Sequence, residues 1–146
     1  MVKDFYVADE KKVTAEFFDV DAMNIVWHGN YVKFMEVARC SLLDKIGYGY
    51  KEMIKDGFAY PVTSINLKYV RSVYFSDTVN IKTYLVEYEN CIKIKYEIFN
   101  EKGELCTKAE STQMALKLET NESCFECSPT FIQRVEKILR DEGKIQ

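Results

Sequence analysis

Between Asn30 and Gly47 apolar side chains fall at Tyr31, Phe34, Met35, Ala38, Leu42 and Ile46, while Lys33, Glu36, Arg39 and Asp44 fill the opposite side. Steps of three and four residues predict a helix with one buried face, and Gly47 is placed to end it. At about sixteen residues the helix is long, and a single apolar stripe cannot be buried by the helix alone. The remainder of the chain therefore has to supply a broad apolar surface.

Four stretches can supply it. Residues 60–71 (YPVTSINLKYVR), 79–89 (VNIKTYLVEYE), 91–99 (CIKIKYEIF) and 105–118 (LCTKAESTQMALKL) are β-rich. In the third, Ile92, Ile94, Tyr96 and Ile98 alternate with Lys93, Lys95, Glu97 and Phe99, the period of a half-buried strand. Residues 100–104 (NEKGE) form a turn. Strands this close in sequence are expected to pair antiparallel, because parallel neighbours need a crossover of a dozen residues. A further strand is expected over 11–19, ahead of the helix. Ser128-Pro129 has the form of a cap and first-turn proline for a closing helix, with Phe131, Val135, Ile138 and Leu139 on one face. The expected order is strand, long helix, four-stranded meander, short helix. That is an α+β fold, with the long helix packed on a curved antiparallel sheet in one domain spanning 1–146.

Composition limits the function classes. A hydrophobic content of 47% over 146 residues supports one proper core and argues against disorder. A net charge of −3 offers no electrostatic footprint for nucleic acid. No apolar run approaches the roughly 20 residues of a membrane span, and the N-terminus lacks the apolar stretch of a signal peptide, so a cytoplasmic protein is expected. Five cysteines at scattered positions (Cys40, Cys91, Cys106, Cys124, Cys127) fit reduced thiols better than a disulfide framework. CFEC, Cys124–Cys127, has ligand-like spacing but no second pair to complete a metal site.

The chemistry concentrates in residues 19–39, DVDAMNIVWHGNYVKFMEVAR, which hold the chain's single histidine and single tryptophan. There is no zinc-protease motif, nucleophile elbow or P-loop, and GYGYKE at Gly47 follows a helix instead of a strand. Asp21 sits among Val20, Ala22, Met23, Ile25 and Val26, where burial would raise a carboxylate's pKa and sharpen it as a base. His28 stands just before the helix, whose first amides, around Gly29, Asn30 and Tyr31, are unpaired donors at the positive end of the helix dipole. Carboxylate, imidazole and helix start within ten residues form a compact set for acyl transfer. The same residues have bland readings: an aspartate before a helix is commonly a turn residue, and a lone histidine commonly a structural one.

This segment closely resembles the signature of the 4-hydroxybenzoyl-CoA thioesterase-like branch of the hotdog-fold superfamily, and is most similar to the Tol-Pal-associated bacterial acyl-CoA thioesterases. The matching residues are Asp19 and Asp21, Trp27-His28, Asn30-Tyr31 and Glu36-Val37-Ala38-Arg39, and the similarity continues through YVRSVYFSDTV and YEIFNEKGEL, over residues 10–135. The resemblance implies a hotdog fold and hydrolysis of acyl-CoA thioesters. It implies Asp21 as general base or nucleophile, and His28 or the neighbouring helix-start amides (Gly29, Asn30, Tyr31) as polarisers of the thioester carbonyl. It further implies a homodimer, or a dimer-of-dimers tetramer, with the site at the subunit seam. Lys68, Arg71, Lys93 and Lys95 are candidates for the CoA phosphates, and no metal or organic cofactor is implied. Three positions depart from the pattern: Phe17 stands where relatives often carry Tyr, Asn24 where glycine is usual, and Arg71-Ser72 where Arg-Pro is usual. Two alternatives remain open at this level: an acyl-thioester-binding module without turnover, and a dehydratase or hydratase acting on acyl-thioesters.

Overall fold

The computed structural model describes residues 2–146. In chain order its elements are β1 (Val7–Thr14), a 3-10 turn (Phe17–Asp19), α1 (Asn30–Ile46), α2 (Tyr50–Asp56), β2 (Phe58–Ala59), β3 (Val62–Tyr69), β4 (Thr78–Glu87), β5 (Ile92–Phe99), β6 (Leu105–Gln113), β7 (Ala115–Lys117), β8 (Glu122–Cys124) and α3 (Pro129–Asp141). The long helix is the one its spacing predicts, with Tyr31, Phe34, Met35, Ala38, Leu42, Leu43 and Ile46 buried. Gly47 closes it at φ 85°, a left-handed conformation that glycine adopts without penalty.

Five strands form one antiparallel sheet in the order β1-β4-β5-β6-β3, and β2, β7 and β8 form a smaller one. The Met114 amide donates to the Pro61 carbonyl at 3.2 Å and the Leu118 amide to Gly57 at 3.0 Å, so the β3–β6 ladder runs on into β2–β7. The alternation of β5 is observed as expected. Ile92, Ile94, Tyr96 and Ile98 are buried in one core with Phe34, Met35, Ala38 and Leu42 of α1. The Tyr96 hydroxyl shares a hydrogen with Ser111 Oγ at 2.7 Å, which satisfies the one polar atom that this residue carries into the core.

The closing helix starts as its sequence implies: Ser128 Oγ accepts the Thr130 amide at 3.2 Å, and Phe131, Val135 and Leu139 are buried. A polar knot fastens it to α2. Asp56 Oδ2 accepts the Tyr48 hydroxyl at 2.5 Å and also the Ser128 hydroxyl, while the Ser128 amide donates to the Tyr60 hydroxyl at 3.1 Å.

The structure corrects several boundaries. The first strand covers Val7–Thr14 instead of 11–19; its charged stretch ADEKK shows no apolar alternation and is held by an eight-residue ladder to β4. The meander of four consecutive strands is not formed. Three strands, β4, β5 and β6, are consecutive neighbours, whereas β3 lies beyond β6, because residues 70–77 carry the chain across the sheet. The fourth run breaks at Met114 into β6 and β7, and the short elements α2, β2 and β8 add to the expected order.

Candidate active site

Residues 20–26 fold into a tight hairpin whose stem is the Val20–Val26 bridge. The Asp21 amide donates to the Ile25 carbonyl at 2.9 Å and the Asn24 amide returns to the Asp21 carbonyl at 3.0 Å. Asn24 has φ 66°, the left-handed region that glycine and asparagine tolerate, which accounts for asparagine standing where the family pattern has glycine. A second bridge, Ile25 to Tyr74, ties the hairpin to the segment before β4.

The two aspartates have opposite surroundings. Asp19 is the buried one, at 2% exposure. Its Oδ2 accepts the Glu16 amide at 2.8 Å and its Oδ1 takes the Lys33 ammonium at 2.6 Å, while its carbonyl receives the Trp27 amide at 3.0 Å and Asn30 Nδ2 at 2.8 Å. Asp19 thereby joins the 3-10 turn to the first turns of α1, a structural role. Asp21, expected to be buried, is exposed. Val20 and Val26 pair on one side of the hairpin, so alternation turns Asp21 outward with Met23, whose amide it accepts at 2.8 Å.

His28 is exposed too, and its ring lies 4.8 Å from that of Trp27. Its carbonyl accepts the Tyr69 hydroxyl at 2.8 Å. Among the described residues no hydrogen bond or ion pair joins His28 to Asp21. The Trp27 indole also covers the helix start: a Cβ on Gly29 would come within 2.1 Å of it, so glycine is what lets the indole lie there.

Gly29 is the N-cap of α1 and no side chain caps this end. Of the helix-start candidates, the Asn30 amide is engaged by the Trp27 carbonyl at 2.8 Å. The Tyr31 ring is buried against Tyr69 at 5.1 Å, and burial pushes its hydroxyl pKa up. Asn30 and the Tyr31 side chain therefore position the helix start, and the amides that remain for a ligand are fewer than the sequence implied.

Around Asp21 the surface is unusually apolar. Phe17 (78% exposed), Phe18 (74%) and Met23 (74%) stand out to solvent, and Trp27, Tyr74 and Phe75 are also exposed. The edge strand β3 carries exposed Val62, Ile65 and Tyr69 on an otherwise polar, exposed ladder. The Phe17 and Phe75 rings meet edge to face at 6.1 Å, and exposed apolar side chains and open sheet edges are both features that interaction surfaces use.

The four candidates for phosphate binding separate. Lys68 and Lys95 border one hollow of about 590 Å³ with Lys3 and Lys108, interleaved with Glu97 and Glu110. Arg71 is engaged with Glu104 at 3.4 Å, and Lys93 does not border the hollow. A larger cavity, about 1100 Å³, runs beside α1 between Glu36 and Gly47 and against Met53, Phe58 and Tyr60; neither Asp21 nor His28 borders it. No helix of the described residues is long and apolar enough to cross a membrane.

A family model described as the thioesterase-like superfamily matches residues 16–136. The candidate acyl-CoA thioesterase YneP of Bacillus subtilis (strain 168) is 32% identical over 112 residues, covering 76% of this chain and 81% of its own. Among solved structures, a DHNA-CoA thioesterase from Staphylococcus aureus superposes with a TM-score of 0.80 at 33% identity, covering 95% of this chain and 97% of that one. A gentisyl-coenzyme A thioesterase, BH1999, has a TM-score of 0.75 at 20% identity over 86% of this chain and 99% of that one, a likeness of fold.

Proposed function

The chain belongs to the thioesterase-like superfamily with the hotdog fold, and from that premise we propose that it hydrolyses acyl-CoA thioesters to the free acid and CoA. The observation that carries this reading is the outward-facing Asp21 on a rigid hairpin, braced through Asp19 against a helix start that no side chain caps. Asp21 acts in one of two ways. As general base it takes a proton from water while that water adds to the thioester carbonyl, and the tetrahedral adduct then collapses to the acid, expelling CoA as the thiolate that takes up a proton. As nucleophile its oxygen adds to the carbonyl, CoA leaves as the thiolate, and water cleaves the resulting mixed anhydride. Amides near His28 and Gly29 hold the developing oxyanion, and His28 orients the acyl group.

The site as one chain presents it is open, and the exposed Phe17, Phe18, Met23 and Trp27 need a cover. A second copy joined through the β3 edge supplies it, giving a homodimer, or a tetramer of two dimers, with Asp21 at the seam. Covering Asp21 in this way restores the desolvation that the single chain does not provide. Lys68 and Lys95 are the better placed of the cations for CoA phosphates. The whole chain acts as one domain, in the cytoplasm.

A panel of acyl-CoA thioesters, followed with a reagent for the released thiol, tests this. Asp21→Asn is expected to lower kcat by about a hundredfold or more. Unchanged hydrolysis in the variant removes Asp21 from the mechanism, and failure of the wild-type protein to cleave any thioester rejects the enzymatic reading.

A further inference from the structure

The cavity beside α1 has a direction. Glu36, Arg39, Cys40, Leu43 and Gly47 border it, and at 100° per residue these positions form one stripe along the helix. Extended toward the N-terminus, the same stripe passes Val32 and reaches Gly29, the helix start. From Gly29 to Glu36 is seven residues, about 10 Å at the helical rise. Met53, Phe58, Ala59 and Tyr60 give the cavity an apolar wall, and charged groups line it too, among them the paired Glu36 and Arg39, with Asp44 and Glu52. A volume near 1100 Å³ lies just above the roughly 300–1,000 Å³ usual for ligand sites, room enough for a large ligand.

We propose that this cavity receives the distal part of a long-chain aliphatic acyl group whose thioester carbonyl lies at the α1 start. The inference rests on the hydrolytic reading above and gives its substrate class. A short acyl group held at Gly29 ends before the cavity begins, two helical turns away. A long chain runs down the stripe and buries its end against Met53, Phe58 and Tyr60, gaining transfer free energy for each methylene removed from water. Occupancy of the groove by a second copy of this chain is the competing outcome.

Cys40 makes the test direct, because it is exposed, free and on the cavity wall. In the Asp21→Asn protein, alkylation of each cysteine by iodoacetamide is followed by peptide mass spectrometry with palmitoyl-CoA, with butyryl-CoA and with CoA alone. The expected result is that palmitoyl-CoA slows modification of Cys40 and the other two do not. In parallel, Cys40→Trp is expected to lower the ratio of palmitoyl-CoA to butyryl-CoA kcat/KM by about tenfold, the equivalent of two methylenes left in water. Equal alkylation under all three conditions overturns the proposal, as does a Cys40 that is unreactive in the ligand-free protein, since a second copy would then fill the groove. Protection of Cys40 in a protein that cleaves no thioester leaves the cavity assignment standing and removes only the hydrolytic reading.

Discussion

The hydroxyl of Tyr69, at the end of the edge strand β3, donates to the carbonyl of His28 at 2.8 Å. That bond joins residues 41 apart in sequence and holds the peptide that launches α1. The half-exposed Tyr69 ring also packs at 5.1 Å on buried Tyr31. Tyr69→Phe keeps the ring and deletes the bond. Stability is expected to fall by only about 0.5 kcal/mol, at the low end for a hydrogen bond because the site is wet. The kcat on acyl-CoA is expected to fall severalfold with KM little changed. An unaltered kcat would show that the helix start needs no such brace.

The contrast between the two aspartates predicts two phenotypes. Asp19→Asn weakens the bond to Lys33 and the cap on the Glu16 amide in a buried place, and is expected to cost about 1–3 kcal/mol in urea unfolding. Asp21→Asn keeps an oxygen able to accept the Met23 amide, so its melting temperature is expected to match the wild type while turnover collapses. The reverse pattern would exchange their roles.

Gly29→Ala is expected to dislodge the Trp27 indole, because the new methyl group would sit 2.1 Å from the ring in the present arrangement. The backbone there, φ −69° and ψ −23°, accepts alanine, so the effect works through the ring. As the only tryptophan of the chain, Trp27 reports its own movement by fluorescence. An emission spectrum identical to the wild type would contradict the packing described.

Asp56 gathers the Tyr48 and Ser128 hydroxyls and so links α2 to the start of α3. Burial, aided by the bond to Asp56, drives the Tyr48 hydroxyl pKa well above the usual range. Ser128→Ala deletes both the bond to Asp56 and the cap on Thr130, and is expected to cost about 1–2 kcal/mol, or several degrees in Tm. Calorimetry decides it.

Alkaline stability follows from the tyrosines. Burial pushes the hydroxyls of Tyr60 and Tyr96 up to about 12 in the folded protein, against an ordinary value near 10. The folded state holds these protons more tightly than the unfolded chain. Their contribution is therefore complete below about pH 10 and is lost as the pH rises from there through 12. Urea midpoints are expected to be flat up to about pH 10 and then fall, with a shallower fall in Tyr60→Phe.

Local periodicity made α1, β5 and the capped start of α3 legible, because which side of a helix or strand is apolar is written in neighbouring residues. The candidate residues Asp21, His28 and the helix start were gathered in the same way, as one short segment, whereas the exposure of Asp21 and the left-handed backbone of Asn24 were not legible there. The charged strand β1 was misplaced because its inward positions are defined by β4 and not by its own pattern. The pairing of β3 with β6 was missed because adjacency in sequence favours β4, and only the crossing at residues 70–77 rules that out.

What the sequence determined by itself was therefore the set of elements with strong periods, the α+β class and the segment that holds the candidate site. The tertiary structure decided which aspartate is buried. Asp19 and Asp21 are chemically identical and two residues apart, yet Lys33 and the Glu16 amide enclose the first while the Val20–Val26 bridge turns the second to solvent. It also decided that the Trp27 ring lies over Gly29 and that a cavity borders α1 between Glu36 and Gly47. For these two carboxylates burial is set by contacts with distant parts of the chain, and the local pattern around them does not encode it.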